Sequence, residues 1–417
     1  LVPHFEKMLY DNALLATTYL EAAQVLQDPL YRGVARGTLE YLLRDMRSPE
    51  GAFYTAEDAG EVGKEGEFYV WTEAELAKLL PSDQFAALKA AYPVSGEGNF
   101  EQGQNILTLN SGIEWQRRDS GLVQQALQTI FEARTKRTRP HLDDKVLSGW
   151  NGLAITALCK GFQVLRDSRY LAAAQECAHF IRRAMTTPDE LLRRYRAGEA
   201  KFSAGLEEYA YVIEGLLNLY ACDFDERWLL WAKELQSWQD RKLWDVERGG
   251  YFFSDSPELL QRRKEYIDGA TPSGNSVAAL NCLRLYAFFG ELEYLRRAEF
   301  ILKAASGGLA RYPTAFPKAL QALDTMLAGP REIAIVRGSK DQLGKQLCDF
   351  LFESFLPHAV WMLVDAESAS ASALPLLRDR VSLQGRTTVY VCQKQTCGLP
   401  LTDFDEVQAA ITRGEPA

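Results

Sequence analysis

The chain contains 417 residues, of which 47% are hydrophobic and 25% are charged, values that are ordinary for a globular protein. This length is enough for one large domain and a small one. The net charge of −9 argues against nucleic-acid binding, which favours basic surfaces. No apolar run is long enough to cross a bilayer. The seven cysteines are scattered, mostly in helical segments, so we expect reduced thiols and a cytoplasmic protein.

A helix-hairpin unit recurs four times along the chain. In each copy a polar residue opens an apolar helix, an acidic residue follows 16 or 17 positions later, and an aromatic residue stands three positions beyond it. The copies are Asp11…Asp28-x-x-Tyr31, Asn151…Asp167-x-x-Tyr170, Glu208…Asp225-x-x-Trp228 and Asn275…Glu291-x-x-Tyr294. Repeats of this size are typical of stacked supersecondary units.

Each copy predicts two antiparallel helices, an apolar and buried inner helix followed by a more polar outer helix. The acidic residue stands where the N-cap of the outer helix belongs, and the aromatic residue can pack back onto the inner helix. The polar residues that open the inner helices are capping types, so their simplest role is also that of N-caps. Repetition of this pattern predicts a toroid with inner and outer rings, although a straight solenoid stays open.

The predicted hairpins cover residues 10–47, 73–137, 146–185, 205–243 and 275–305, and the second is irregular and carries an insertion. Short aromatic segments such as Gly249–Phe253 predict β-hairpins along one rim. The composition changes near Pro330, so we predict a helical part over 1–329 and a small α/β unit with a partly parallel sheet over 330–417. The chain begins at Leu1 and runs straight into the first helix, and we therefore expect it to be a piece of a longer protein.

Four polar clusters stand directly before inner helices, and a toroid would bring them to one mouth. Two histidines, several carboxylates and a lysine suit general acid/base chemistry on a polyol, and aromatic side chains suit stacking on sugar faces. The predicted catalytic residues are His4, His141, Asp143, Glu208 and Asp268. The predicted substrate-binding residues are Glu6, Lys7, Tyr10, Asp11, Asp144, Lys145, Trp150, Asn151, Tyr209, Ser273 and Asn275. The alternative is a structural polar network that ties the hairpins together.

Metal binding is poorly supported, because the sequence contains no His-x-x-x-His and no paired Cys-x-x-Cys. We predict no metal and no cofactor. Cys392 and Cys397 form the only close thiol pair in the sequence, and their spacing is wider than that of a redox motif. We therefore expect both thiols to be reduced and free of metal.

The same clusters carry a resemblance to a known family. The segments Leu1–Asn12, Arg139–Lys145 with Trp150-Asn-Gly152, and Asp268–Asn275 resemble the thioredoxin-domain-containing proteins related to the spermatogenesis-associated thioredoxin-like proteins. The resemblance covers essentially the whole chain. It implies an N-terminal thioredoxin-like domain, which is missing here, followed by an (α/α)6 toroid of the six-hairpin glycosidase type, similar to N-acylglucosamine 2-epimerases. The toroid would then be N-terminally truncated to about five hairpins.

Three hypotheses about function follow. The first is a carbohydrate-active enzyme that epimerises or isomerises a sugar-like ligand in the toroid cavity. The second is a non-catalytic binding or scaffold module that serves the missing thioredoxin-like domain. The third is a glycoside hydrolase with paired carboxylates, in which Asp143 or Asp144 would need a distant partner such as Glu208, Asp58 or Asp268. Neither nucleic acid nor a membrane is an expected partner.

Overall fold

The structure, a computed structural model, describes residues 2–109, 121–256, 258, 260–340 and 343–413. Its helices are α1 (Leu9–Leu26), α2 (Pro29–Tyr41), α3 (Glu73–Leu79), α4 (Ser82–Ala91), α5 (Gly121–Arg134), α6 (Ser148–Leu165), α7 (Ser168–Ala184), α8 (Leu206–Asp223), α9 (Glu226–Leu243), α10 (Gly274–Phe289), α11 (Leu292–Arg311), α12 (Pro317–Ala328), α13 (Gly344–Glu353), α14 (Pro375–Arg378) and α15 (Phe404–Arg413).

The strands are short outside the C-terminal part of the chain. They are β1 (Lys7–Met8), β2 (Ala56–Glu57), β3 (Trp71–Thr72), β4 (Gln104–Asn105), β5 (Leu142–Asp143), β6 (Val146–Leu147), β7 (Leu192–Arg196), β8 (Glu199–Ser203), β9 (Arg331–Arg337), β10 (Ala359–Asp365), β11 (Thr388–Gln393) and β12 (Thr396–Cys397). Within the described ranges, no helix combines the length and the apolar character that crossing a bilayer requires.

The four repeat copies form the helical hairpins α1–α2, α6–α7, α8–α9 and α10–α11. The predicted acidic N-caps are confirmed in three of them, since the side chains of Asp28, Asp167 and Asp225 each accept a hydrogen bond from the backbone amide two residues further on, at 2.9, 3.0 and 3.0 Å. Glu291 stands at the same position and makes no such bond. These caps satisfy orphan amides at the start of each outer helix.

The inner helices pack against one another in chain order and curve around a common cavity. Helix α1 packs on α6, α6 on α8, α8 on α10, and α10 on α12, so α12 continues the inner ring after the last hairpin. All five of these helices contribute side chains to the wall of the cavity. The architecture is therefore the predicted mainly α toroid of helical hairpins, and a straight solenoid is excluded because its inner helices would not share a cavity.

The inner helices begin slightly earlier than the sequence pattern predicts. The N-cap positions are Met8, Leu147, Gly205 and Ser273, so Asp11, Asn151, Glu208 and Asn275 all lie inside the first turn. The interpretation of these four residues as N-caps is wrong. Asn151 donates to the carbonyl of its own N-cap residue Leu147, and Glu208 accepts from the amide of its own N-cap residue Gly205. The remaining polar atoms of Asn151, and those of Asn275, bind neighbouring segments.

Residues 73–137, predicted as an irregular hairpin, form a satellite of the ring instead. Helices α3, α4 and α5 pack on one another around a separate core that includes Trp71, Leu76 and Ile130. Helix α1 packs directly against α6, so no inner helix from this segment stands between them. Residues 110–120 of the predicted insertion lie outside the described part of the chain.

The C-terminal part forms a four-stranded sheet in the order β10-β9-β11-β12. Strand β10 is parallel to β9, and β11 is antiparallel to it, which confirms the predicted partly parallel sheet. One face, which includes Ala334 and Met362, joins the core of the ring, while the other packs against α13 and α15. Because the two parts share a core, the division of the chain at residue 330 into two domains stays a prediction.

The expectation that Cys392 and Cys397 are reduced is wrong for this structure. The two residues are paired across β11 and β12, and a disulfide joins them. Antiparallel pairing brings the two Cα atoms to 3.9 Å, within bonding range of the sulfur atoms. The five other cysteines are not part of this disulfide, and four of them are buried in the helical core.

Candidate functional site

The N-terminal ends of the inner helices lie along one rim, where two asparagines hold the adjoining strand segments. Asn151 of α6 accepts from the backbone amide of Phe53 at 2.8 Å and donates to its carbonyl at 3.0 Å. Asn275 of α10 makes the same pair of bonds to Tyr251, at 2.8 and 2.9 Å. Both side chains are completely buried. These two predicted binding residues therefore mimic a strand partner and serve the fold.

The start of α8 is held in a similar way. Glu208 accepts from the backbone amide of Gly205 at 2.8 Å and lies 3.4 Å from the guanidinium of Arg193. The hydroxyl of Tyr209 accepts from the amide of Leu191 at 3.2 Å, and its ring is buried. Both side chains thus form hydrogen bonds with backbone amides of the rim.

The predicted histidines lie on the exposed part of the rim. His4 is exposed, and its Nδ1 accepts from the backbone amide of Glu6 at 3.2 Å. His141 is also exposed, and its carbonyl accepts from the amide of Asp58 at 2.9 Å. Neither histidine reaches the cavity between the inner helices. Asp11 is a neighbour of both Glu6 and His4, and desolvation, followed by the charge of Glu6, raises its pKa.

Ion pairs engage the acidic and basic residues beside His141. Asp143 lies 2.8 Å from Lys145, and Asp144 lies 2.5 Å from Arg196. Burial alone would raise the pKa of Asp143, but its hydrogen bonds and ion pair with Lys145 lower it. An acid with a lowered pKa is a poor proton donor near neutral pH.

The remaining candidates on this rim pack against aromatic side chains. The rings of Tyr10 and Trp150 meet edge to face with their centroids 4.8 Å apart. The Lys7 ammonium lies 3.9 Å from the centre of the Tyr69 ring and donates to the carbonyl of Phe5 at 2.6 Å. Burial lowers the Lys7 pKa to about 8. This arrangement suits a packed rim better than an open site.

Ser273 and Asp268 complete the predicted set, and Asp268 alone among its members reaches the cavity. The Ser273 hydroxyl donates to the carbonyl of Glu265 at 2.9 Å. One oxygen of Asp268 accepts from the amide of Ser273, and the other from the amide of Lys318, both at 2.7 Å. The residues predicted from the sequence therefore lie on the rim, apart from Asp268, and other residues line the cavity.

The cavity lies between the five inner helices and has a volume of about 580 Å³, which is within the range of small-molecule sites. Each of the five inner helices contributes polar or charged side chains to the cavity wall. They include Thr17 and Glu21 of α1, Thr156 and Lys160 of α6, Glu214 and Asn218 of α8, Arg284 of α10, and Lys318 and Gln321 of α12. The sequence analysis identified none of these residues.

A repeat position marks the polar wall. Each repeat copy carries a polar or charged residue seven positions before the acidic residue of its outer helix, and these are Glu21, Lys160, Asn218 and Arg284. Three of the copies carry another polar residue one turn earlier, namely Thr17, Thr156 and Glu214. Residues four apart share a helix face, so the pattern alone would have indicated which face of each apolar helix turns inward.

One side of the cavity wall is an ion pair between α8 and α12. Lys318 Nζ lies 2.7 Å from Glu214 Oε1, and both side chains are largely buried. Asp268 fixes the start of α12 through the backbone amide of Lys318. The pair thereby holds a carboxylate and an ammonium group in fixed positions at the cavity wall. Acid/base catalysis requires positioned groups that accept or donate a proton.

Two further cations line the cavity, Arg284 of α10 and Lys160 of α6. Arg284 donates to Asn218 Oδ1 at 2.9 Å, and Asn218 donates in turn to Thr156 Oγ1 at 3.1 Å. Lys160 lies 3.9 Å from its nearest carboxylate, that of Glu21. Burial lowers the pKa of Lys160, and it lowers the pKa of Arg284 to about 10 even though nearby Glu214 opposes that effect.

The C-terminal unit closes the far end of the cavity. Trp361 of β10 donates its indole N–H to the carbonyl of Ala221 at 2.9 Å. Gln24 of α1 donates to the carbonyl of Phe352 at 2.8 Å, so the loop after α13 is tied to the inner ring. His358 Nε2 lies 2.7 Å from Asp324 Oδ2 on the same wall. The C-terminal unit therefore contributes part of the cavity wall at this end.

No cluster of three or more metal-ligating side chains occurs in the part of the chain that the structure describes. The polar wall instead combines carboxylates, amides, hydroxyls and cations. Groups of these types bind the hydroxyls of a small polar ligand and can move protons on it.

Comparison with known proteins establishes the family. The chain is 35% identical to spermatogenesis-associated protein 20 of Homo sapiens and 34% identical to the Mus musculus protein of the same name. An uncharacterised protein of Caenorhabditis elegans is 28% identical. Each match covers 98% of this chain, and the chain spans 58% of the human and mouse proteins and 61% of the nematode protein. No protein-family model matches the chain.

Among solved structures, a cellobiose 2-epimerase from Bacillus thermoamylovorans is similar over 72% of this chain and 61% of its own, with a TM-score of 0.46 and 11% identity. A sugar epimerase from a ruminal bacterium has a TM-score of 0.41, covers 73% and 76% of the two chains, and is 10% identical. With these TM-scores and identities, neither similarity establishes a property of this chain. The sequence matches, however, extend over the motifs of the rim and of the repeats alike, and the chain belongs to the family of spermatogenesis-associated protein 20.

Proposed function

We propose that the central cavity is the active site of a carbohydrate-active enzyme that epimerises or isomerises a sugar-like ligand. The observation that carries the proposal is the cavity wall, in which charged and hydrogen-bonding residues stand at one repeat position of otherwise apolar helices. Burying such groups without a partner is costly. A cavity that collects them from successive helices is therefore best explained by a polar ligand that they bind.

Glu214 is the proposed acid/base. Epimerisation or isomerisation of a sugar removes a proton from a carbon beside a carbonyl and returns it to the other face or to the neighbouring carbon. The Glu214 carboxylate is held by Lys318 at 2.7 Å and lies on the cavity wall, where it can accept that proton and give it back. Asn218 and Thr156, one turn away on α8 and across on α6, would bind hydroxyls.

The rim residues fit this proposal less well as catalytic groups. His4 and His141 are exposed and do not line the cavity, so their predicted role would require the substrate to lie outside the ring. Glycoside hydrolysis would need a second carboxylate on the wall; both oxygens of Asp268 accept backbone amides, so another, such as Glu21, which lies 3.9 Å from Lys160, would have to serve. The catalytic roles predicted for the rim residues stay predictions.

A scaffold without catalysis is the second candidate. The rim favours this candidate, because the side chains of Asn151, Asn275 and Glu208 each accept a hydrogen bond from a backbone amide and so stabilise the fold. A scaffold has no need for a polar cavity, however. The two candidates therefore differ in whether the cavity binds and changes a small molecule.

The test uses the protein joined to the part of its relatives' length that this chain does not span. Aldoses, ketoses and N-acylated amino sugars are incubated in D2O, and NMR follows deuterium entry at carbon. We expect exchange with at least one sugar, and its loss in Glu214→Gln but not in Glu234→Gln, an exposed residue on outer helix α9. Exchange that survives in Glu214→Gln but is lost in His141→Asn would place the chemistry at the rim. No exchange with any sugar, in wild type, would favour the scaffold.

A further inference from the structure

Arg284 is the most unusual charge in the cavity wall. Its guanidinium makes one hydrogen bond, to the neutral amide oxygen of Asn218, and forms no ion pair with any residue in the described ranges. Buried charges in proteins are normally paired, because their desolvation is otherwise uncompensated. Burial lowers the pKa of Arg284 to about 10, which reflects that cost.

A second cation lies near Arg284. Lys160 faces the same cavity from α6, and the Arg284 charge helps to lower its pKa, after the larger effect of burial. Its nearest carboxylate, Glu21, is 3.9 Å away, which is at the limit of an ion pair and too long for a hydrogen bond. Two like charges are thus held close together with weak compensation.

Two carboxylates of the wall, those of Glu214 and Asp268, are bound to groups other than Arg284 and Lys160. Glu214 is bound to Lys318 at 2.7 Å, and Asp268 accepts two backbone amides. Glu214 is close enough to Arg284 to raise its pKa but forms no ion pair with it. Arg284 therefore has no carboxylate partner in the described part of the chain, and Lys160 has only Glu21, at 3.9 Å.

We infer that Arg284 and Lys160 form an anion subsite, so the sugar-like ligand of the cavity carries a carboxylate or a phosphate. A guanidinium offers a planar pair of donors that matches either group, and Lys160 adds a point charge beside it. Asn218 orients the guanidinium from one side, and Thr156 in turn fixes Asn218. This inference rests on the proposed function and adds the charge of the ligand to it.

The subsite also assigns an orientation. Arg284 and Lys160 are on α10 and α6, whereas Glu214 and Lys318 are on α8 and α12. A ligand anchored by its anionic group on the first pair would leave the second pair available to another part of the same molecule. Such division between an anchor and a reacting end is how binding energy is turned into correct positioning.

The experiment measures binding by calorimetry with four probes, which are D-glucuronate, D-glucose 6-phosphate, inorganic phosphate and neutral D-glucose. We expect at least one of the anionic sugars to bind at least 10-fold more tightly than D-glucose, with an affinity that falls as salt is raised. Arg284→Gln should remove that preference, and Arg284→Lys should restore part of it. Arg296→Gln, on the exposed face of outer helix α11, should leave it unchanged. Lys160→Met provides a second variant if Arg284→Gln does not fold.

The possible outcomes separate this inference from the proposed function. Equal binding of neutral and anionic sugars, unaffected by Arg284→Gln, would overturn the anion subsite while the enzyme proposal stands. Binding of inorganic phosphate that depends on Arg284, without binding or exchange of any sugar, would support the subsite and overturn the enzyme proposal. Absence of binding by all four probes would overturn the anion subsite.

Discussion

The closest crossing in the ring is between α6 and α8, and Gly152 makes it possible. A Cβ atom added at Gly152 would lie 2.5 Å from the carbonyl carbon and oxygen of Tyr211, and 2.6 Å from the amide nitrogen of Val212. The facing Gly215 is also tight, since an added Cβ atom would lie 2.8 Å from the carbonyl oxygen of Gly152. Carbon atoms pack at about 3.5 Å or more, so Gly152→Ala must push the helices apart by about 1 Å.

The expected cost follows from that displacement. Alanine should stabilise a helix by about 0.5–1 kcal/mol relative to glycine, whereas overpacking between backbones costs about 1–3 kcal/mol or more. Gly152→Ala should therefore lower the free energy of unfolding, by about 1–2 kcal/mol. Gly37→Ala, in the exposed part of α2 with no atom within 4 Å of the added Cβ, should raise it by about 0.5–1 kcal/mol.

Thermal and urea unfolding of the two variants beside wild type measure this contrast. Opposite signs are expected. Equal stabilisation by both substitutions would refute the close crossing of α6 and α8. Since Thr156 and Asn218 lie on these two helices, Gly152→Ala should also lengthen the hydrogen bond between them.

Three further predictions concern the core, a buried acid and the thiols. Tyr170 is fully buried against Gly161 of α6, and its hydroxyl donates to Glu40 at 3.0 Å. In denaturant titrations, Tyr170→Ala should lower the free energy of unfolding by about 3–5 kcal/mol, and Tyr170→Phe by about 1 kcal/mol. Equal effects of the two substitutions would contradict this packing. Burial raises the pKa of Glu332 to about 7, so the folded state holds its proton more tightly than the unfolded state, and stability should fall as pH rises from about 4.5 to 7. Glu332→Gln should then raise the melting temperature at pH 8 and have little effect near pH 4. A larger increase in melting temperature at pH 4 than at pH 8 would contradict a raised pKa of Glu332. Titration of unfolded, unreduced protein should find five thiols, and finding all seven would contradict the disulfide between Cys392 and Cys397.

The hairpins could be predicted because their signals are local. Asp167 and Asp225 cap outer helices within two residues of their own position, and Tyr170 packs one turn beyond the cap. Both features depend on helix geometry alone. The alternation of apolar and more polar helices likewise indicated which would be inner and outer.

The cavity could not be predicted from the same signals, because the apolar inner helices offer no obvious inward face. Arg284 and Lys160 interrupt α10 and α6 once each, and only alignment of the repeat copies shows that they share a position with Glu21 and Asn218. Conspicuous motifs drew attention to the rim instead. There, Asn151 is part of a long motif because it replaces a strand partner for Phe53, a structural role that the residue type does not reveal.

The satellite and the disulfide could not be predicted, because both are determined by contacts between segments that are distant in sequence or paired as strands. The direct packing of α1 on α6 across residues 73–137 follows from tertiary structure, and nothing in the spacing of those residues indicates it. Cys392 meets Cys397 because β11 and β12 pair in a particular register. A shift of the register by one residue would place the two side chains on opposite faces.

Blocking the cavity tests whether the ligand binds inside the ring of inner helices. Leu280 of α10 lines the cavity beside the charged wall, and Leu280→Trp would fill part of the space of about 580 Å³ without changing a polar group. The measurement is the affinity of the tightest-binding sugar for this variant and for wild type, with unfolding midpoints as the control for folding. The account predicts at least a 10-fold loss of affinity in a folded variant. Unchanged affinity would contradict it and move the binding site out of the ring.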